Sequence, residues 1–351
     1  MTTGELTKNE QQVLHGLIRY PELNDSELHK EIGIKLSTLT SIKRRLAKQG
    51  LFQTLTIPML NRFGCELLAT IYTEFNPVIP LGERVKTTKR TIEVFDEIFY
   101  SVGEQEKGFS ISLSQNYTNI GRINDIRTET FGEVGLLEKE YPHEVIFPFE
   151  ISHISRFFDF SRVLPYYFGF KHPSDDLGLG EWFTTVEHHH LSPREQQVYT
   201  ALVDHPEWTT QRLGDHVGLS RHTVSRMKQE FFRQGFLRSL RLPNLTKLGF
   251  QILGFYHFKF TPHQALSLDD INFLDSFSTF FLARRKFEMV LLAAYPTYQD
   301  YKEDKIRKIR FLKEKDFLSE TPVIRTYIFD RMSVIKDFTF ASLSHKIVQH
   351  T

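Results

Sequence analysis

The chain has 351 residues, 40% of them hydrophobic and 25% charged, with a net charge of +1, the make-up of a globular protein of two or three domains. No apolar run of about 18 residues is present, which excludes a membrane-spanning helix. Met1-Thr-Thr-Gly-Glu5 also lacks the basic and apolar regions of a signal peptide, so a cytoplasmic location is expected. A single cysteine, Cys65, excludes an intramolecular disulfide and a zinc site built mainly from thiolates.

In chain order, Thr7-x-x-Glu10 is a capping pattern, and Val13, Leu14, Leu17 and Ile18 follow at helical spacing until Pro21. A short helix is expected from about Asp25 to Ile32, a sharp turn at Gly33, and a third helix from about Leu36 to Lys48. Leu39, Ile42 and Leu46 would face its core side, leaving Ser37, Thr40, Ser41, Arg44, Arg45 and Lys48 outward. The β-rich stretch Leu51–Pro58 reads as a wing. Beyond Gly64 come a strand at 67–75, a helix at 85–95, strands near 98–103 and 109–114, a helix at 117–131 and a strand at 145–149. That βαββαβ order describes a ferredoxin-like sandwich.

An aromatic tail, 156–170, follows and reads as packing against the sheet or the other module. Docking of another protein or a second subunit is the sharper alternative. Residues 171–190 carry the Pro, Gly and Ser of a linker. Within them Glu187-His-His-His190 cannot turn consecutive side chains toward one ion, so no metal is expected.

Residues 191–262 then repeat residues 6–77 without a gap at an offset of 185, with about 21 of 72 positions identical. Leu191-Ser-Pro-Arg-Glu-Gln-Gln-Val198 restates Leu6-Thr-Lys-Asn-Glu-Gln-Gln-Val13, and Gly218, Gly235, Pro243 and Gly249 restate Gly33, Gly50, Pro58 and Gly64. A repeat this long is a duplicated multi-domain module rather than a solenoid unit. In copy two Ser220 is a good N-cap for the helix 221–233, a position that Lys35 holds in copy one. Arg221, His222, Ser225, Arg226 and Arg233 belong to its free side. Arg238 and Arg241 sit in the second wing, where copy one has Gln53 and Thr56. The second βαββαβ pattern spans 252–329, and Lys336-Asp-Phe-Thr-Phe340 echoes the aromatic tail weakly.

Charge is unevenly spread. Residues 6–50 and 191–241 each hold eight Lys/Arg against five Asp/Glu, leaving 28 basic and 33 acidic residues elsewhere. A short helix, a glycine turn and a helix with hydroxyl, Arg and Lys on its free face suit DNA reading by a helix-turn-helix. Base reading is expected mainly from Ser37, Thr40, Ser41, His222, Ser225 and Arg226. Phosphate anchoring is expected from Arg44, Arg45, Lys48, Arg233, Arg238 and Arg241. Unlike third helices predict unlike half-sites. No phosphate loop, nucleophile elbow, H-E-x-x-H or paired-carboxylate motif is found, so no enzymatic activity and no cofactor are expected.

A head beginning Leu-x-x-x-Glu-x-x-Val, then Gly50-Leu-Phe52, Pro58, Gly64 and βαββαβ, resembles the leucine-responsive (Lrp/AsnC) transcription regulators over about 6–151 and again over about 191–329. The resemblance implies double-stranded DNA as partner, pairing through the βαββαβ domains, and an amino-acid-like effector in that interface. A tandem chain would be a covalent pseudo-dimer, with further homo-oligomers left open. Copy one keeps a glycine-acid turn, Gly103-Glu-Gln-Glu-Lys-Gly108. Copy two has Ala283-Arg-Arg-Lys-Phe287 there, which counts against amino-acid sensing, at least in that copy. The expected fold is α+β: winged helix-turn-helix domains at 1–62 and 191–247, ferredoxin-like domains at 63–170 and 248–351, and a linker at 171–190. The expected function is sequence-specific regulation of transcription. The alternative is a scaffold that docks proteins through its heads and aromatic tails.

Overall fold

The computed structural model describes residues 6–137, 140–170, 179–184 and 187–350. Two stretches of the expected linker, 171–178 and 185–186, fall outside them.

Along the chain come a three-helix head, α1 (Lys8–Arg19), α2 (Asp25–Glu31) and α3 (Leu36–Lys48), and strand β1 (Phe52–Pro58). Next are β2 (Leu67–Glu74), α4 (Leu81–Glu93), β3 (Ile98–Gly103), β4 (Lys107–Ser114), α5 (Tyr117–Glu133) and β5 (His143–Pro148), then β6 (Ser152–Arg156) and the short α6 (Val163–Phe168). The plan recurs as α7 (Pro193–Asp204), α8 (Thr210–Val217), α9 (Arg221–Arg233) and β7 (Leu237–Pro243). It continues with β8 (Ile252–Lys259), α10 (Leu268–Leu274), β9 (Thr279–Arg285), β10 (Glu288–Tyr295), α11 (Tyr298–Glu314) and β11 (Val323–Ile328), and ends with β12 (Ser333–Asp337) and α12 (Ala341–His350). The protein is thus α+β with antiparallel sheets. Among the described residues no helix is long and apolar enough to cross a membrane.

Local chemistry explains the helix starts. The Thr7 N–H donates to the Glu10 carboxylate at 2.8 Å while the Glu10 N–H donates back to Thr7 Oγ1 at 3.4 Å. Ser192 and Glu195 repeat the arrangement at 2.9 and 3.4 Å. Each pairing satisfies two amides that a helix start leaves without intrahelical partners. The α2–α3 and α8–α9 turns pass through Gly33 and Gly218 at φ 68° and 69°, a conformation that a Cβ makes costly. Behind these turns Leu14, Leu17, Leu39 and Leu46 have no exposed surface. Each such side chain contributes roughly 1.5–3 kcal/mol by leaving water.

The molecule divides into two compact units, and neither coincides with one copy of the repeat. The first comprises Met1–Thr54, Ser152–Trp182 and Ser239–Asp330; the second comprises Leu55–Ile151, Phe183–Arg238 and Arg331–Thr351. The first unit holds the head α1–α3 and a five-stranded sheet of order β11-β8-β10-β9-β6. Four of these strands belong to the second βαββαβ run. The fifth, β6, comes from the end of the first run and pairs with β9, Ser152 opposite Arg285 and Ile154 opposite Ala283. The second unit mirrors this. Its sheet order is β12-β3-β4-β2-β5, with β12 from the end of the chain paired to β3, Ser333 opposite Gly103 and Asp337 opposite Tyr100. Each exchanged strand satisfies a row of edge amides and carbonyls that would otherwise invite foreign pairing.

Aromatic residues just after the exchanged strands hold them. Phe158 and Phe338 both take φ 50°, unusual for so bulky a side chain. Each thereby aims the phenylalanine two residues on at the sheet. Phe160 stacks on Phe280 at 4.6 Å in the first unit, and Phe340 stacks on Phe99 at 4.7 Å in the second. Backbone strain of about 1–3 kcal/mol per site is offset by these buried rings, each of which removes a large apolar surface from water. The tails therefore pack against the sheet of the other repeat, one of the outcomes the sequence allows. Cores beneath the sheets include one around Tyr256, Leu282, Leu291 and Leu312 and another around Ala69, Ile71, Ile98 and Ile123.

In the first unit His15 of α1 bonds the Ser161 carbonyl at 3.2 Å and meets the Phe170 ring edge. Burial, with the nearby Arg19 charge, pushes its pKa down to about 4, against the partial support of the Ser161 carbonyl. The unfolded chain takes up this proton near pH 6.5 and the folded one near 4, so stability present above 6.5 is lost as pH falls across that window. The full loss is roughly 3–4 kcal/mol at about 1.4 kcal/mol per unit. In acid-limb denaturant melts, His15→Gln is expected to flatten the decline. An unchanged slope would show that another group carries it.

Candidate nucleic-acid interface

The third helix of each head presents a polar face because most of its large apolar residues turn inward. On α3, Leu39, Ile42 and Leu46 are buried while Ser37, Thr40, Ser41, Arg44, Arg45 and Lys48 are all exposed. On α9, Val224 and Phe231 are buried; Arg221, His222, Arg226 and Arg233 are exposed, and Ser225 is half-buried. Ser220 caps α9 by accepting from the Thr223 N–H at 3.2 Å, whereas Lys35 gives α3 no side-chain cap. The Lys247 ammonium instead reaches the C-terminal end of α3, donating to the Gln49 carbonyl at 2.6 Å. A cation there opposes the negative end of the helix dipole.

The cations divide into free and engaged. Among the described residues Arg44, Lys48, Arg221 and Arg226 form no ion pair. Arg45 meets the buried Glu10 at 2.7 Å, whereas Arg233 meets Glu230 at 2.5 Å in an exposed pair that a phosphate could replace at little cost. Burial raises the Glu10 carboxyl, but hydrogen bonds from Thr7 and the Arg45 charge outweigh it and hold the group below its ordinary range. Arg238 is half-buried on β7 and already has a partner. Arg241 corrects the sequence expectation. It is buried and donates to the carbonyls of Leu17 at 3.0 Å and Tyr20 at 3.4 Å, so it closes the end of α1 and is not turned toward a phosphate. A neighbour the sequence reading passed over is Arg212 on α8, exposed and set 3.9 Å over the Trp208 ring.

Other concave sites are present in each unit. In the first, a cavity of about 660 Å³ is bordered by Arg162, Tyr166, Phe277, Asp300, Glu303 and Arg307. Its floor holds Asp275, which accepts from Arg156 at 2.9 Å and Arg162 at 2.6 Å. In the second, a space of about 510 Å³ lies between α7, α8 and α12, with Gln196, Thr200, His216 and His345 on its walls. Among the described residues no three His, Cys, Asp or Glu side chains are grouped to hold a metal ion. His189 of the triple-histidine stretch is tied by its N–H to the Arg62 carbonyl at 2.8 Å and lies against Phe236. The Cys65 thiol is buried, which pushes its pKa up to about 12 and makes it a poor nucleophile.

No family model and no curated protein matches this chain. Solved structures do. The siroheme decarboxylase NirDL is similar over 97% of this chain and 99% of its own, with a TM-score of 0.52 at 9% identity. The same enzyme in co-complex with an iron-uroporphyrin III analogue gives 0.53 at 10% identity, over 97% of this chain and 98% of that one. Lrp/AsnC-type regulators are also among the matches. Escherichia coli AsnC is 12% identical and covers 40% of this chain and 93% of its own, with a TM-score of 0.32. At these identities the full-length likeness establishes a shared fold. It also corrects the expectation of a chain without enzymatic activity, because a protein built on this fold from end to end is a decarboxylase.

Proposed function

We propose that the chain is a sequence-specific DNA-binding regulator of tandem Lrp/AsnC-like build, with two winged helix-turn-helix heads and unlike reading helices α3 and α9. The observation that supports it is the pair of exposed hydroxyl-and-cation faces, with Arg44 and Lys48 on one and Arg221 and Arg226 on the other free to meet DNA. Ser37, Thr40 and Ser41 on α3, and His222, Ser225 and Arg226 on α9, read bases. Arg44, Arg45, Lys48 and Arg233 hold phosphates. The glycine-acid turn of the first repeat makes an amino-acid-like effector the compound class to screen, by calorimetry against the twenty amino acids.

Arg226→Ala is expected to lower specific affinity by about 1–3 kcal/mol and relax the preference at one base position. Lys48→Ala should weaken all sequences alike and reduce the log–log salt slope by about 0.9. Binding that is indifferent to salt would instead indicate a protein-docking scaffold. Sequences selected from a random pool should show two different halves. Perfect palindromes read by one chain would overturn the assignment of separate roles to α3 and α9.

A second reading is supported by the full-length likeness to siroheme decarboxylase: chemistry on a carboxylate-rich tetrapyrrole. Incubation with siroheme under anaerobic conditions, followed by mass spectrometry, should then show successive losses of carbon dioxide. Unchanged siroheme, with no shift of the Soret band of added iron-uroporphyrin III, would remove this reading.

A further inference from the structure

The second unit buries two arginines between its helices and its sheet. Arg84 of α4 is 1% exposed and Arg127 of α5 is 2% exposed. Arg127 Nη1 donates to Ser110 Oγ at 3.0 Å, but Arg127 Nε and Arg84 Nε and Nη2 have no hydrogen-bond acceptor. Phe75 faces the Arg84 guanidinium at 4.7 Å and Phe131 faces that of Arg127 at 5.8 Å, which supplies quadrupole attraction but no negative charge. Glu104 and Glu144 are felt only from beyond ion-pair contact, and Glu104 is engaged with Lys107 at 3.7 Å. Burial pushes both guanidinium groups down to about 10, so both remain charged at neutral pH. Burying one unneutralised cation costs several kcal/mol, and here two border the same space.

The first unit provides an internal control. Helices α5 and α11 correspond at an offset of 181, which sets Arg127 against Lys308 and Ile123 against Asp304. Lys308, with no exposed surface, is paired to Asp304 one turn away and donates to Ser276 Oγ at 2.8 Å. Asp304 in turn accepts from the Tyr295 hydroxyl at 2.6 Å. One copy thus neutralises its interior cation with its own carboxylate. The other has isoleucine at that position and adds a second arginine.

We propose that this interior of the second unit is a binding site for a small monatomic anion, a halide such as chloride, held by Arg84 and Arg127. The two arginines, Thr88, Gly103 and Phe109 border a cavity of about 10 Å³, room for one water-sized or monatomic occupant. Thr88 Oγ1, buried and without a partner, is a further donor toward it. At Gly103 a Cβ would stand 3.4 Å from Arg84 Nη1, so a side chain there would crowd the guanidinium. A water molecule would satisfy the donors but leave the charge. The site stands whether or not the DNA reading does.

The test is thermal unfolding of the full chain at constant ionic strength, with gluconate, too large for the cavity, exchanged for chloride, bromide or acetate. The wild type is expected to gain roughly 5–10 °C at a hundred times the dissociation constant. The halides alone should act, and an equal gain with acetate, which exceeds a monatomic occupant, would show that the response does not come from this cavity. Ile123→Asp, which copies Asp304, should melt higher than wild type in gluconate and lose its anion response. If that variant does not fold, Arg84→Met serves instead and should show at least a tenfold weaker response. Equal melting of the wild type in all four salts, or an undiminished response in the variant used, would overturn the proposal.

Discussion

Asp275→Ala is expected to cost the first unit about 3–5 kcal/mol, the range for removing one partner of a buried ion pair. Asp275 is 2% exposed and accepts from two guanidinium groups, Arg156 at 3.2 and 2.9 Å and Arg162 at 2.6 Å. Arg156 is only 4% exposed, and among its pairings that with Asp159 at 3.0 Å would persist. The loss would be read by urea melts, and Arg156→Met/Asp275→Leu should recover part of it, because the deeply buried Arg156 charge goes with its partner while Arg162 and Asp159 keep some access to water. A loss below about 1 kcal/mol would mean that water reaches the site and the pair behaves as an exposed one. Arg162 lines the 660 Å³ cavity with Asp275, so ligand screens of the variant would also show whether that cavity depends on the pair.

The second large effect is directed at a distant part of the sequence. Phe340→Ala removes a ring that is 3% exposed and stacked on Phe99, and is expected to cost about 3–5 kcal/mol. Hydrogen exchange should accelerate in β3 and β4, whose residues lie more than 200 positions earlier, and not in β9 and β10, which are nearer in the chain. Phe160→Ala should do the reverse, loosening β9, where Phe160 stacks on Phe280. Acceleration in the nearer sheet after Phe340→Ala would contradict the strand exchange.

Much of the local structure was legible in advance, for identifiable reasons. The Thr7–Glu10 and Ser192–Glu195 boxes, the turns at Gly33 and Gly218 and the cap at Ser220 depend on atoms within a few residues. Helical and alternating periodicities marked the two βαββαβ runs because each element must turn one face inward. The free faces of α3 and α9 followed from the same periodicity. Arg241 was misplaced because a basic residue on an expected wing looks like a phosphate anchor. Its real partners, the Leu17 and Tyr20 carbonyls, lie more than 220 positions away. Arg84 and Arg127 were passed over because an arginine on an amphipathic helix ordinarily faces water. Extending the repeat through α5 and α11 would have exposed the change from Asp304 to Ile123.

The sequence by itself determined the duplication, the order of elements, the capping of the heads and the separation of apolar from polar helix faces, all of which rest on neighbours in the chain. Only the tertiary structure decided which segments share a core. Strands β6 and β12 have nothing in their residues that names β9 or β3, because backbone amides and carbonyls pair with any edge of suitable register. The choice is made by fit at a distance, where Phe160 finds Phe280 and Phe340 finds Phe99. The same long-range fit determines which cations meet a carboxylate from a distant segment, as Arg156 meets Asp275, and which, like Arg84 and Arg127, are left to be neutralised from outside.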